Sequence, residues 1–595
     1  MVFCTQREKQ KTANPRNTMS SSSPSMSFKN LSFFLFSLLL LTTSHSFPLN
    51  TTTTFPNPQE TTPSGTGGGE WVLLHDSIGV SAMHMQLMYD NKVVIFDRTD
   101  FGLSNLSLPS GKCRYNDAVL KLDCSAHSLL YDVASNTFRP LMILTDIWCS
   151  SASVRPDGTL VQTGGYLAGD KKIRLFTPCS TTTDAAAEQC DWFELPQQLL
   201  VRRWYSSNHI LPDGRLIVVG GRRQFNYEFF PKNSINGSLP ELFNLPFLHN
   251  TTDRFEENNL YPFLHLLPDG NLFIFANRRS ISFDYVNNRV VKEFPEIPGE
   301  KRNYPSTGSS VLLPLRGNSP APEVMICGGA PAFAFYQAEK LSVYVAASKT
   351  CGRLKVTDPE PQWLMENMPM SRVMSDMILL PSGDVLIING ASNGTAGWED
   401  AVGPVLNPVL YSPTQPDLSE RFTVLSPTTI PRMYHSAAIL LPDGRILVGG
   451  SNPHLQYNFT AMPYPTELSL EAFLPPYMAK EYSNLRPSIL TVEARDKVVS
   501  YGQGFAVTFM VATYRLYQDF KVAVIAPPFA THSFGMNQRL IYLDIIGGAQ
   551  KLSMFGYKVS VVAPVTKNIA PPGYYMLFVV HNGIPGECVW IQINN

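Results

Sequence analysis

The sequence predicts an all-β chain, a seven-bladed kelch-like β-propeller followed by a C-terminal Ig-like β-sandwich. Three observations carry that prediction. A turn of the Pro-Asp-Gly type, followed by an apolar strand that usually ends in Gly-Gly, recurs from Tyr89 to Gly450. The 39 Gly and 47 Pro suit many short strands rather than long helices. The recurring unit stops after Asn452, and from Leu474 about 120 residues of short apolar runs follow, the size of one sandwich domain.

The first 46 residues are expected to be a signal peptide. Lys29 precedes the apolar run 31–41 (LSFFLFSLLLL), and Ser44 and Ser46 are small residues placed for cleavage before Phe47. That run is too short to span a bilayer. Met19 and Met26 offer later start sites. Residues 47–69 form a Thr/Pro/Gly-rich linker. No later stretch is apolar enough to anchor the chain in a membrane, so secretion to the extracellular space or cell wall is expected. Sequons at Asn50, Asn105, Asn236, Asn250, Asn393 and Asn458 agree with it.

Secretion makes disulfides the first reading of the cysteines. Cys113 with Cys124, Cys179 with Cys190, and Cys327 with Cys351 are candidate pairs. Cys149 and Cys588 are left over, either bonded to each other or buried and inert.

The propeller is expected over residues 70–473. Tyr89-Asp90-Asn91-Lys92 opens a degenerate first copy. The turns at Pro156-Asp157-Gly158, Pro212-Asp213-Gly214 and Pro268-Asp269-Gly270 open the next three. Leu313-Pro314 leads through a longer loop to Val324, and Pro381-Ser382-Gly383 and Pro442-Asp443-Gly444 open the last two. The spacing centres on about 56 residues, near that of kelch repeats. One such hairpin cannot bury both of its faces, whereas a radial array can, and it leaves few exposed edges. The sandwich is expected over residues 474–595, with strands at 489–492, 506–511, 521–525, 559–562, 574–580 and 588–591.

Charge and motifs exclude several function classes. A formal net charge of −1 leaves no basic excess for nucleic acid. No Gly-rich phosphate loop precedes a helix, so a nucleotide cofactor is not expected.

The candidate chemistry lies just before the turns. Cys149, Tyr205 and His435 each stand seven residues before the Pro of their turn. Equivalent positions in different blades point the same way, so a thiol, a phenol and an imidazole should converge near the axis. That donor set favours copper or iron over magnesium or calcium. The alternative is that bulky side chains merely fill a narrow axis. Tyr434 is one residue earlier. In a regular strand it would face away from His435, so the repeat alone does not place it at the site. His75, His84, His127, His209, His249, His265, His454 and His581 are read as structural or solvent-facing.

Four segments carry a more specific resemblance: Ile147-Trp148-Cys149-Ser150, Arg203-Trp204-Tyr205, Arg432-Met433-Tyr434-His435-Ser436, and Ala530-Thr531-His532-Ser533 with Asn537-Gln538-Arg539. In them the chain resembles the copper radical oxidases of the glyoxal oxidase and galactose oxidase family, above all the plant glyoxal oxidase-like members, over residues 70 to 595. The resemblance implies one copper per chain, held by Tyr205, Tyr434, His435 and His532. It implies a Cys149–Tyr205 thioether whose ring carries a stable radical, with Tyr434 as general base. It also implies that the C-terminal domain sends the loop around Pro527 to Phe534 into the propeller to deliver His532.

The implied reaction oxidises simple aldehydes such as glyoxal and methylglyoxal to carboxylic acids and reduces O2 to hydrogen peroxide. Extracellular peroxidases would be users of that peroxide, and a monomer is expected. One departure bears on substrate. Galactose oxidase has a tryptophan after the Gly-Gly of the blade that bears the modified tyrosine. Here Gly220-Gly221 is followed by Arg222-Arg223-Gln224. That favours an aldehyde hydrate over galactose. Arg222 is a candidate for holding a substrate oxygen and Trp204 for shielding the ring. Two rivals remain: an oxidase of galactose or another primary alcohol on carbohydrate, and a catalytically inactive propeller used as a binding scaffold.

Overall fold

Each copy of the repeat forms the first two strands of an antiparallel sheet, four-stranded in six cases and, for the first copy, extended to six strands by a hairpin from the C-terminal region. The computed structural model describes residues 67–109, 111–115, 120–179, 190–232, 241–317, 320–512 and 519–594. The expected leader, the linker up to residue 66, and the sequons at Asn50 and Asn236 lie outside the described residues. The first strands of successive sheets are His84–Leu87, Ser151–Val154, Ser206–Ile210, Phe263–Leu266, Gly308–Leu312, Asp376–Leu379 and Ala437–Leu440. From Ser151–Val154 onward each lies against the next, and Ala437–Leu440 lies against His84–Leu87. The last sheet takes its outer strand, Glu70–His75, from the start of the described chain, where it pairs with Leu470–Leu474.

Local chemistry explains the repeat. The carboxylates of Asp157, Asp213, Asp269 and Asp443 each accept a hydrogen bond at 3.0 Å from the backbone N–H two residues on. This is the short-range turn that Asp favours. The strands on either side are almost wholly buried. The second strands therefore run as continuous apolar stretches, whereas first strands such as Ser206–Ile210 (SSNHI) also bury polar side chains and outer strands such as Arg289–Glu293 are mostly exposed.

Buried arginines tie the sheets together. Arg203 donates to the Gly220 carbonyl at 2.7 Å, Arg372 to the Asn389 carbonyl at 2.7 Å, and Arg432 to the Gly450 carbonyl. In each case the arginine stands at the entry to a first strand and its acceptor at the end of the second. Glu228 pairs with Arg203 at 2.9 Å and Glu471 with Arg432 at 2.8 Å, all four side chains being buried. Three disulfides, Cys113–Cys124, Cys179–Cys190 and Cys327–Cys351, follow the candidate pairs. Cys149 and Cys588 are not disulfide-bonded to each other.

The C-terminal residues form two further sheets. One holds Ser488–Val492, Gly504–Met510, Gly556–Val562 and Asp544–Lys551. The other contains Phe520–Ala526, Gly573–His581, Val589–Asn594 and Arg539–Tyr542, and Leu315–Arg316 of the preceding region joins its edge in parallel. Phe509 and Phe520, one from each sheet, pack with ring centroids 5.0 Å apart.

A hairpin of this region, Phe529–Thr531 and Phe534–Met536, leaves these sheets. Its first strand pairs antiparallel with His84–Leu87 and lies against Ser151–Val154. It thus fills the gap between the first sheet and the second. Its second strand runs along the first strands of four other sheets. The three residues that follow bond to those strands through polar side chains. The Asn537 amide oxygen accepts from the Ile210 N–H at 2.8 Å. The Gln538 side chain both accepts from the Leu379 N–H at 2.7 Å and donates to the Met377 carbonyl at 3.0 Å. Arg539 donates to the Leu266 carbonyl. These side chains satisfy backbone groups that would otherwise be buried without partners. No helix among the described residues is long and apolar enough to cross a membrane.

Candidate metal centre

The seven-residue offset from the turn corresponds to a shared backbone conformation. Cys149, Tyr205 and His435 have φ of 51, 64 and 62°. So do residues with the same offset in other sheets: Tyr261 has φ 49° and Met374 φ 59°. Adjacent entries are bonded: the Tyr205 N–H donates to the Cys149 carbonyl at 2.9 Å, and the Tyr261 N–H to the Tyr205 carbonyl at 3.0 Å. The left-handed conformation, about 1–3 kcal/mol unfavourable for a non-glycine residue, therefore belongs to the architecture. Gly450 shows why the entry closes so tightly. A Cβ there would stand 2.3 Å from the His435 carbonyl oxygen.

The same conformation resolves the problem of Tyr434. The strand begins only at Ala437, so the alternation of sides does not apply at 434–435. The left-handed His435 instead lets the two neighbouring rings stack, with centroids 3.8 Å apart at 26°. His532 arrives by another route. His532 and Ser533 form the two-residue turn of the inserted hairpin, with φ of 44 and 69°. Two left-handed residues match the right-handed twist of a tight hairpin. The turn therefore presents His532 at the hairpin tip.

The donor atoms meet there. The Cys149 Sγ, one nitrogen of His435 and one of His532 all lie within 4.8 Å of one another. Cys149 Sγ is 3.2 Å from His532 Nε2. The His435 and His532 rings are 4.9 Å apart, and the Tyr205 and Tyr434 rings lie 6.2 and 5.9 Å from His532. All five side chains are buried, with exposures of 0–6 %.

Burial holds both imidazoles well below the usual histidine range, so each is neutral and offers a lone pair. Thr531 Oγ1 lies 2.7 Å from His532 Nδ1, which leaves Nε2 facing the cluster. His435 has both ring nitrogens buried without a hydrogen-bond partner. Leaving such groups unsatisfied costs about 1–3 kcal/mol each. Two neutral imidazoles beside a thiol and two phenols are a donor set that fits copper.

Residues 83–477 match the family described as glyoxal oxidase N-terminus. The chain belongs to the glyoxal oxidase family. Residues 486–593 match the galactose oxidase-like early set domain. Over 528 residues, 88% of this chain and 97% of the relative, it is 46% identical to the aldehyde oxidase GLOX of Vitis pseudoreticulata. It is 46% identical to the aldehyde oxidase GLOX1 of Arabidopsis thaliana, over 88% of this chain and 84% of that one. A fungal alcohol oxidase solved in complex with copper shares the fold, with a TM-score of 0.67 at 19% identity. The match covers 89% of this chain and all of that one. As a member of the glyoxal oxidase family the chain is a copper-dependent oxidase.

Three features of this glyoxal oxidase family site were not read from the sequence. Tyr261 has the same offset from Pro268 as Tyr205 from Pro212, so the repeat did signal it. Its hydroxyl donates to the Ser150 carbonyl at 3.0 Å, beside Cys149. Tyr304 has no such offset. Its hydroxyl lies 3.2 Å from that of Tyr205 and 2.8 Å from that of Tyr434. Trp398 comes from a distant loop and stacks on Trp148 at 5.3 Å.

The lower-ranked candidates are also placed. The Trp204 ring lies 4.8 Å from Tyr205 at 37°. Arg222 is largely buried, pairs with Glu257 at 3.3 Å, and sits 5.1 Å over Trp204, whereas Arg223 is exposed. Of the histidines read as structural, His84 is buried 6.0 Å from His532, where burial holds its pKa down to about 3.

Proposed function

We propose that the chain is a secreted copper radical oxidase that converts simple aldehydes, such as glyoxal and methylglyoxal, to carboxylic acids and reduces O2 to hydrogen peroxide. The observation that carries the reading is the convergence of Cys149, His435 and His532 on one buried point, with both His435 nitrogens unpartnered. The names of the plant relatives favour an aldehyde over a sugar alcohol. The single ring of first strands supports reading the seven sheets as blades of one β-propeller over residues 70–473. The two later sheets, over residues 474–595, are then an Ig-like sandwich.

In this reading His435, His532, Tyr205 and Tyr434 hold one copper ion, and Cys149 is joined to the Tyr205 ring by a thioether. Copper supplies one one-electron acceptor, and the Tyr205 ring supplies the second. An aldehyde hydrate, R–CH(OH)2, binds with one hydroxyl toward Tyr434, whose oxygen takes that proton. The Tyr205 oxygen takes the hydrogen atom from the substrate carbon. The carbon is left at the oxidation level of the acid, and O2 accepts both electrons and both protons as H2O2. Thioether sulfur donates electron density to the phenol and lowers the cost of oxidising it. Burial, with Trp204 against the ring, keeps the radical from solvent. Arg222, paired with Glu257 beside Trp204, would bind a substrate oxygen in this reading.

The leader, the linker and the sequons support an extracellular setting. Asn105, Asn250 and Asn458 are exposed, as glycan acceptors must be. The test is peroxide release. Copper-loaded, mildly oxidised protein is offered methylglyoxal, glyoxal and galactose, with Cys149→Ala as control. Peroxide from the aldehydes, abolished in the control, is expected. Peroxide mainly from galactose would overturn the substrate, and none from any substrate would overturn the enzyme reading.

A further inference from the structure

The Tyr304 hydroxyl touches both phenol oxygens of the proposed reaction. It lies at 3.2 Å from the Tyr205 oxygen and 2.8 Å from the Tyr434 oxygen, and its ring packs on Tyr205 with centroids 4.5 Å apart at 33°. We propose that Tyr304 is a positioning residue that sets the gap between the Tyr205 and Tyr434 oxygens and raises the oxidation potential of Tyr205. This rests on the reading of Tyr205 and Tyr434 given above.

The gap matters because of the substrate. The hydroxyl proton and the carbon-bound hydrogen of an aldehyde hydrate both belong to one H–O–C–H unit. The two accepting oxygens must therefore stand near each other and face the same few atoms. The two strand entries that bear them belong to sheets far apart in sequence, and among the described residues no backbone hydrogen bond joins Tyr205 directly to Tyr434. A hydroxyl bonded to both caps their separation at the length of two hydrogen bonds. Small misplacements of reacting groups can cost on the order of a hundredfold in rate.

The effect on potential follows from the same contact. A Tyr205 oxygen that has given up its proton can only accept, so the single Tyr304 proton is then donated to it, and Tyr304 in turn accepts from Tyr434 when that oxygen carries a proton. A hydrogen bond to a charged oxygen is worth roughly twice one to a neutral oxygen. It therefore stabilises the electron-rich reduced ring more than the neutral radical. Tyr304 is itself anchored through the residue before it. Its neighbour Asn303 donates to the Tyr261 carbonyl at 3.0 Å and accepts from the Asn277 N–H at 2.8 Å. The hydroxyl is thus carried on a fixed backbone.

Tyr304→Phe removes the hydroxyl and keeps the ring. The readouts are the midpoint potential of the Tyr205 couple, from a redox titration of the copper-loaded protein followed by the radical's absorbance, and kcat and KM separately. The variant is expected to shift the oxidised-to-reduced ratio at fixed potential at least tenfold toward the radical, which is 59 mV for one electron. A fall in kcat at least tenfold larger than any rise in KM is expected with it. Tyr227→Phe is the control for loss of a buried phenol hydroxyl that bonds elsewhere, to the Tyr285 carbonyl at 3.2 Å, and its potential should not move. An unchanged potential in Tyr304→Phe, or an equal shift in Tyr227→Phe, overturns the proposal. If Tyr304→Phe fails to fold, Tyr304→Met replaces it with the same expectation. If the wild-type protein yields peroxide and a radical, failure here is confined to Tyr304. If it yields neither, the reading of the site and this proposal fall together.

Discussion

The backbone N–H of Tyr205 donates to the carbonyl of Cys149 at 2.9 Å, across the junction of two neighbouring sheets. Both residues are left-handed and both are buried. This bond fixes the two strand entries side by side, which is the proximity a bond between sulfur and the phenol ring needs. Thioether formation removes one hydrogen from sulfur and one from the ring, with copper and O2 as the oxidant. A tryptic digest of copper-exposed protein should therefore contain one species joining the Cys149 and Tyr205 peptides, two hydrogen atoms lighter than their sum. Protein purified without copper should lack it. Separate peptides after aerobic copper loading would refute the crosslink.

His532 reaches the site only through the inserted hairpin. His532→Ala should leave the fold intact, because Phe529, Phe534 and the Asn537–Gln538–Arg539 contacts hold the hairpin without it. Copper retained after dialysis, measured by elemental analysis, should fall from one per chain to a small fraction. Full copper in a folded His532→Ala variant would remove His532 from the ligand set.

Much of this architecture was legible because it repeats. A turn built from one Asp and one Gly leaves the same trace in four of the seven copies, and the seven-residue offset singled out Cys149, Tyr205 and His435. The same offset holds Tyr261, whose hydroxyl bonds the Ser150 carbonyl beside Cys149. Tyr304 was not legible. It precedes the strand entry at Thr307, and its approach to Tyr205 and Tyr434 depends on how three sheets meet. Nor did alternation serve for Tyr434, because the left-handed His435 lies before the strand begins. The arginines at 203, 372 and 432 recur just before first strands, yet a surface charge would look the same in sequence. Only their burial against glycine and asparagine carbonyls shows what they do.

Acid should destabilise the metal-free protein. Burial lowers the His84 and His209 pKa values to about 3, and those of His435 and His532 well below 6.5. The unfolded chain binds those protons below about pH 6.5 and the folded chain does not, so stability falls as pH drops. Burial acts oppositely on Asp97 and Asp376, raised to about 8 and about 7. Their contribution is fully present below the unfolded carboxylate range and is lost as pH rises through those values. Between pH 8 and 6.5 only the aspartates act, and stability rises on acidification. Below that the histidines oppose them. Melting temperature of the metal-free protein should peak at about pH 6–7. A curve rising steadily down to pH 4.5 would contradict neutral buried imidazoles.

The last prediction concerns the arginine ties. Glu228 is fully buried, accepts from Arg203 Nε at 3.0 Å, and also accepts from the Leu200 N–H at 2.8 Å. Glu228→Gln keeps the shape and leaves the buried Arg203 guanidinium without its counter-charge. Removing one partner of a buried pair typically costs about 3–5 kcal/mol. Arg203 stands two residues before Tyr205, so the loss should be felt at the site as well as in stability. The urea midpoint should fall by a corresponding amount, and copper-dependent crosslinking of Cys149 to Tyr205 should slow. Exposed pairs provide the contrast. Arg278→Ala removes a salt bridge to the half-exposed Glu296, and exposed pairs are worth about 0–1 kcal/mol. If Glu228→Gln cost no more than Arg278→Ala, the buried arginine would not be what holds the Tyr205 entry in place.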